Sequence, residues 1–229
     1  MTGALYAVHP DFLFTLDNTS NFAPGTSTES WFATSGTMPY AVSPTVIEDR
    51  PVNGPLLQQN RFSLSQNLTR LLAHVRTQGP WFVLGGVNFH AQSYKRFGFQ
   101  VLQPAVVNAP ADAVVDESTS EVLLEAGVAL ESERVKHADR HYSLRFSMAK
   151  PVWRRLDNTA WPDVTFTGTS GWDARLEGRY SVAVHELVHV GGWAQYLYAQ
   201  RGSQIRGAYE LPLTHTRSVA FGLEVLWKL

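Results

Sequence analysis

The chain of 229 residues has no cysteine, which excludes disulfides, thiolate zinc sites and cysteine nucleophiles. Charge is also scarce: charged residues make up 17% of the sequence, below the roughly 25% of ordinary soluble domains. The net charge of −1 comes without any basic tract, so specific nucleic-acid binding is not expected. No apolar run approaches the about eighteen residues that a transmembrane helix needs. The start, Met1 to Tyr6, has no basic residues, and His9, Pro10 and Asp11 interrupt any apolar core, so it does not read as a secretory signal.

What the sequence has is alternation. From Ser218 to Leu229, Val219, Phe221, Leu223, Val225, Trp227 and Leu229 share one face, opposite Ser218, Ala220, Gly222, Glu224, Leu226 and Lys228. A side-chain period of two predicts a β-strand with one apolar face. Earlier segments repeat the pattern. Val122, Leu124, Ala126, Val128 and Leu130 oppose Glu121, Glu125 and Glu131, and Tyr142, Leu144, Phe146 and Met148 oppose Ser143, Arg145 and Ser147. Leu176, Gly178, Tyr180, Val182 and Val184 oppose Arg175, Glu177, Arg179 and His185. Val188, Val190, Ala194, Tyr196 and Tyr198 oppose His189, Gln195 and Arg201, and Ile205 to Leu213 oppose Arg206 and Glu210.

Strands of about ten residues joined by short turns form an antiparallel meander, because parallel crossovers need a dozen or more linking residues. The expected fold is therefore all-β, an antiparallel up-and-down barrel over residues 80–229, with a jelly-roll sandwich as the alternative. Residues 1–60, rich in Ser, Thr, Asn, Pro and Gly, read as an extended arm or plug with short strand-like pieces at Ala4–Val8 and Phe12–Leu16, not as a separate domain. Leu64, Leu68, Leu71, Leu72 and Val75 predict a short amphipathic helix within residues 61–79. Gln92 to Arg96 predicts a hairpin turn.

His185-Glu186-Leu187-Val188-His189 matches the zinc-protease pattern, with Gly192 where its longer form wants glycine. That chemistry needs a helix carrying both imidazoles on one face, whereas this stretch is β-branched, continues into Gly191-Gly192 and has Gln195 where a third histidine belongs. It reads as a chance match on a β-hairpin, and the sequence predicts no catalytic residue, metal or cofactor.

The ending Val219-Ala-Phe-Gly-Leu-Glu-Val-Leu-Trp-Lys-Leu229 resembles the C-terminal strand of bacterial outer-membrane β-barrel proteins, in which glycine precedes alternating apolar and aromatic residues. It departs from them in ending on Leu229 where Phe or Trp is usual, and in its proline-rich first 60 residues. The resemblance implies contact with membrane lipid and with the barrel-assembly machinery, in the outer membrane. A channel, or the membrane anchor of an export or assembly system, is then expected, with Arg175, Glu177, Arg179, His189, Gln195, Arg206, Glu210, Glu224 and Lys228 on the pore-lining or polar face. Val219, Phe221, Leu223, Val225, Trp227 and Leu229 then face membrane or core. The alternative is a structural capsid or tail subunit of a virus or phage particle, whose partners are copies of itself or other shell subunits. The first reading requires a segment removed before Met1, and the second does not.

Overall fold

The computed structural model describes residues 2–21, 24–43, 46–102, 112–132, 139–207, 209–211 and 213–227, with side chains at all of these except 2, 32–53 and 210. The strands are β1 (Thr2–His9), β2 (Phe12–Ser20), β3 (Thr26–Ser43), β4 (Val46–Gln78), β5 (Trp81–Val101), β6 (Val114–Glu131) and β7 (Arg140–Asn158). They continue with β8 (Thr165–Phe166), β9 (Gly171–His185), β10 (Val188–Arg201), β11 (Gln204–Arg206), β12 (Tyr209–Leu211) and β13 (Thr214–Trp227). The protein is all-β, an antiparallel sheet curled into an open half-barrel.

One continuous path runs β1-β2-β4-β5-β6-β7-β9-β10-β13, each neighbour antiparallel to the next. Strand β3 follows β2 along the same side of β4, β8 adds to β7, and β11 with β12 makes a separate hairpin. The strands are staggered as in a barrel. One pairing row passes from Val75 through Val83, Val128, Phe146, Leu176 and Tyr196 to Val219, so a position just above the tight turn after β4 is level with the upper part of β13. Tight turns at residues 10–11, 79–80 and 186–187 mark one rim. The long connections 102–113, 159–170 and 202–213 mark the other.

Several sequence expectations change. Residues 61–78 are part of β4 and not a helix: Leu64, Leu68 and Leu72 lie four apart, which is also an even spacing and puts them on one face of a strand, with Leu71 and Val75 on the other. Gln92–Arg96 runs straight through the middle of β5 and forms no hairpin. The first 60 residues are not an arm, because β1 and β2 belong to the main sheet and β3 pairs along β4, so the sheet begins well before residue 80. The prolines that argued against strands sit where the ladder lacks a donor at no cost. Pro39 is on β3, which pairs with β4 alone, and Pro51 and Pro55 are on the part of β4 beyond its last β5 partner, Gln58 opposite Val101. In the middle of the sheet, Pro151 pairs with Leu123 beside a register shift that leaves Val152 unpaired, a bulge of the kind that tolerates proline.

Curling also needs close backbone approach on the inner face. A Cβ on Gly127 would run into the Phe146 carbonyl oxygen and the Cα of Ser147 on β7. Gly127→Ala is therefore expected to destabilise the protein by about 1–3 kcal/mol, the range for overpacking. The temperature at which the compact form converts to the unfolded band on a gel measures it.

Candidate functional site: a charged interior

Many inward positions along the sheet carry charge, beside a small apolar cluster of Leu13, Leu72, Phe82, Leu84 and Ala129, while large apolar side chains line the outer face. Arg70, Glu125, Glu131, Arg145, Arg154, Arg175 and Glu177 are buried, while Phe89, Leu124, Leu144, Phe146, Met148, Leu176 and Tyr180 on the opposite face are about half exposed. On β13 the exposure of Phe221 and Leu223 rises to 82% and 89%. Ionised groups can be buried only when paired and hydrogen-bonded, and here the partners are present.

The central cluster is built from β2, β4, β5, β6, β7, β9 and β13. Arg70 donates from Nε to Glu125 Oε2 at 3.1 Å and from Nη1 to Glu177 Oε2 at 3.2 Å, and Asn88 Nδ2 donates to the same Glu125 oxygen at 2.6 Å. The Arg145 guanidinium meets Glu131 at 3.1 Å, Asp17 at 3.5 Å and Glu177 at 3.7 Å. Arg179 donates from Nε to Glu177 Oε1 at 2.9 Å and reaches Asp17 at 3.4 Å and Glu224 at 3.7 Å. Arg70 to Glu177 and Arg145 to Asp17 join strands that are not neighbours in the sheet, so these bonds cross the interior.

Towards the rim with long connections, Arg154 and Arg201 share Glu121 Oε1 at 3.0 and 2.8 Å, and Arg201 also binds Asp173. Arg154 Nη1 donates to the carbonyls of Gly168 and Ser170 at 2.8 and 3.1 Å, tying the β7–β9 connection to the barrel wall. Together Arg70, Arg145, Arg154, Arg175, Arg179 and Arg201 stand against Asp17, Glu121, Glu125, Glu131, Asp173, Glu177 and Glu224, so the interior charge nearly cancels. Arg175 Nε and Nη1 find no hydrogen-bond partner among the described residues, although Glu125, Glu177 and Asp173 are its electrostatic neighbours.

Nearer the other rim, Thr15 Oγ1 lies 3.0 Å from His74 Nε2, and His74 Nδ1 lies 3.3 Å from Glu131. The order hydroxyl, imidazole, carboxylate is that of a nucleophile relay. All three are buried, His74 completely, and Glu131 is shared with Arg145, so the row ties β2, β4 and β6 together with no face open to a substrate.

Of the residues predicted from sequence, Arg175, Glu177, Arg179, His189, Gln195 and Glu224 lie on inward positions of β9, β10 and β13. Arg206 does not: β11 and β12 pair with each other apart from the main sheet, and there Arg206 is exposed and donates to the Thr165 carbonyl at 2.7 Å. Glu210 lies on β12 with its side chain outside the described set, and Lys228 and Leu229 lie outside the described residues. Sequence reasoning missed Asp17, Arg70 and His74, which sat in segments read as arm and helix. It saw Glu121, Glu125, Glu131 and Arg145 only as the polar side of an alternation.

The protease-like pattern straddles the β9–β10 turn. His185 is exposed at that turn, while His189 is buried with its ring 4.7 Å from that of His141, so the two do not present a pair of ligands on a helix face. No group of three or more His, Cys, Asp or Glu side chains placed to hold a metal occurs among the described residues. Comparison of the chain with known protein families gives no match, and comparison with curated proteins gives none at a significant level.

Proposed function

We propose that the protein is an integral outer-membrane β-barrel whose interior is cross-linked shut by ion pairs, and that it serves as a membrane anchor or platform for an export or assembly system. One observation carries this: large apolar side chains point out while paired Arg and Glu are buried within. Lipid is the environment in which that arrangement is stable. The apolar belt has aromatic residues at both margins, with Trp81, Tyr142 and Trp227 towards the tight-turn rim and Phe89, Trp153 and Trp172 towards the other. The resemblance of the last strand to those of outer-membrane barrels points the same way.

An anchor is favoured over an open pore because the Arg70–Glu177 and Arg145–Asp17 bonds traverse the lumen. Purified protein should need detergent to stay in solution and should migrate faster on a gel before heating than after. A chain freely soluble without detergent would overturn the reading in favour of a particle subunit, whose outer face is covered by neighbours. In planar bilayers the wild type is expected to hold a flat baseline, while the double variant Arg70→Ser, Arg145→Ser shows current steps. Steady open steps from the wild type would show a channel instead.

A further inference from the structure

Strands β1 and β13 are the two ends of the nine-strand path: among the described residues β1 is paired with β2 alone and β13 with β10 alone. Nine strands in an unbroken antiparallel path give the first and last the same direction. They can meet only as a parallel pair. An unpaired edge leaves backbone N–H and C=O groups without partners, and sheets pair or cover such edges.

The interior indicates what covers it. Arg179 on β9 holds Asp17 of β2 at 3.4 Å and Glu224 of β13 at 3.7 Å, so one guanidinium gathers carboxylates from both sides of the opening. Between them in the sheet order lies β1, whose Gly3 pairs with Asp17. A Cβ on Gly3 would come within 2.7 Å of Asp17 Oδ1, so the glycine leaves that carboxylate the space it uses. The faces also agree. Ala4 and Tyr6 alternate outward like Leu223, Val225 and Trp227, and Gly3, Leu5 and Ala7 turn inward like Gly222, Glu224 and Leu226.

We infer that β1 pairs directly and in parallel with β13, closing a nine-stranded barrel with Arg179 as the internal clasp. The stagger supports this closure. From Tyr6 the pairing row runs through Phe14, Ala73, Gly85, Ala126, Met148, Ala174 and Tyr198 to Arg217. Setting Gly3 beside Glu224 puts Tyr6 beside Trp227, ten residues beyond Arg217. At about 3.3 Å per residue and about 4.8 Å per strand, that displacement around nine strands is a tilt of roughly 35–40°, in the usual range for barrels.

The absence of cysteine makes the test clean. Ala4→Cys is combined with Val225→Cys, with Leu223→Cys for a stagger two residues shorter, and with Val182→Cys on β9 as a control. Each variant is oxidised in detergent micelles, and linked peptides are identified by mass spectrometry. One of the first two pairs is expected to link within a single chain in most molecules, and the control in almost none. No link in either pair, or links only between chains, would overturn the closure, the second outcome assigning the edge to another copy. Amide exchange on the unmodified protein reads the same seam without mutation. The alternate amides of Leu223–Trp227 that do not bond β10 should be as protected as those that do, and fast exchange there counts against closure. Closure rests on stagger and clasp, not on lipid: a chain that is soluble without detergent yet forms the link keeps the barrel and loses the membrane.

Discussion

Arg145→Ala is expected to destabilise the protein by about 3–5 kcal/mol, the cost of leaving a buried ion pair without its partner. The guanidinium is almost fully buried and touches Asp17, Glu131 and Glu177, so its removal takes a cationic partner from three buried carboxylates on β2, β6 and β9 at once. Relaxation cannot bring water to all of them without opening the sheet. Equilibrium unfolding by urea in micelles measures the loss, and a midpoint within error of wild type would show that the interior is wet. Arg155→Ala is the contrast. Arg155 donates to Asp157 at 2.6 Å in an exposed pair beyond the belt, where long side chains exchange freely with solvent, and the midpoint should not move. The hydrogen bond from Arg155 holds the Asp157 carboxyl below its usual range. Whatever that pair contributes is present above the ordinary carboxylate pKa and fades as pH falls through the lowered one.

Phe146→Arg should cost about 2–4 kcal/mol if the outer face meets lipid, as a cation near the bilayer midplane does in other barrels. Phe146 lies midway along the outward row Tyr142, Leu144, Phe146, Met148 of β7 and is 47% exposed. In water, placing arginine at so exposed a position changes little, since surface substitutions usually stay within about 0.5 kcal/mol. The substitution therefore separates the two environments by its size and not only by its sign. Ser120→Arg, outward on β6 near the rim with long connections, is the control, at about 0–1 kcal/mol. A Phe146→Arg variant as stable and as well assembled as wild type would remove lipid as the outer solvent. Lys150 is a charged residue exposed on β7, and its stem is long enough to carry the ammonium towards the rim.

The sheet was legible wherever one face was uniformly apolar and the other polar. Glu121, Glu125 and Glu131 against Val122 to Leu130, and Arg175, Glu177 and Arg179 against Leu176 to Val182, each define a strand and its two faces. Two segments hid the same pattern. In β4 the inward row mixes Leu64, Leu68 and Leu72 with Arg70 and His74, so no face is purely apolar and the period of two is masked by a spacing of four. In β2 the inward Asp17 and Thr15 follow Leu13, and the segment is short. Which face is inside could not be read from periodicity, because alternation is the same in a soluble sandwich and a lipid-facing wall. It becomes visible only when Arg70 finds Glu177, a contact that no local spacing encodes.

The stagger and the internal bonds together set an order of events in folding. Each strand of the path pairs mainly with its neighbour in sequence, so hairpin can add to hairpin with little loop entropy to overcome. The arginine contacts are different, joining Arg70 to Glu177 across 107 residues and Arg179 to Asp17 across 162. They can form only after nearly the whole sheet has been laid down. Removing them is therefore expected to speed unfolding more than it slows folding, which stopped-flow unfolding and refolding of Arg70→Ala would measure. The charged interior acts as a latch on persistence, and the hydrophobic belt with its hairpins governs how fast the fold is reached.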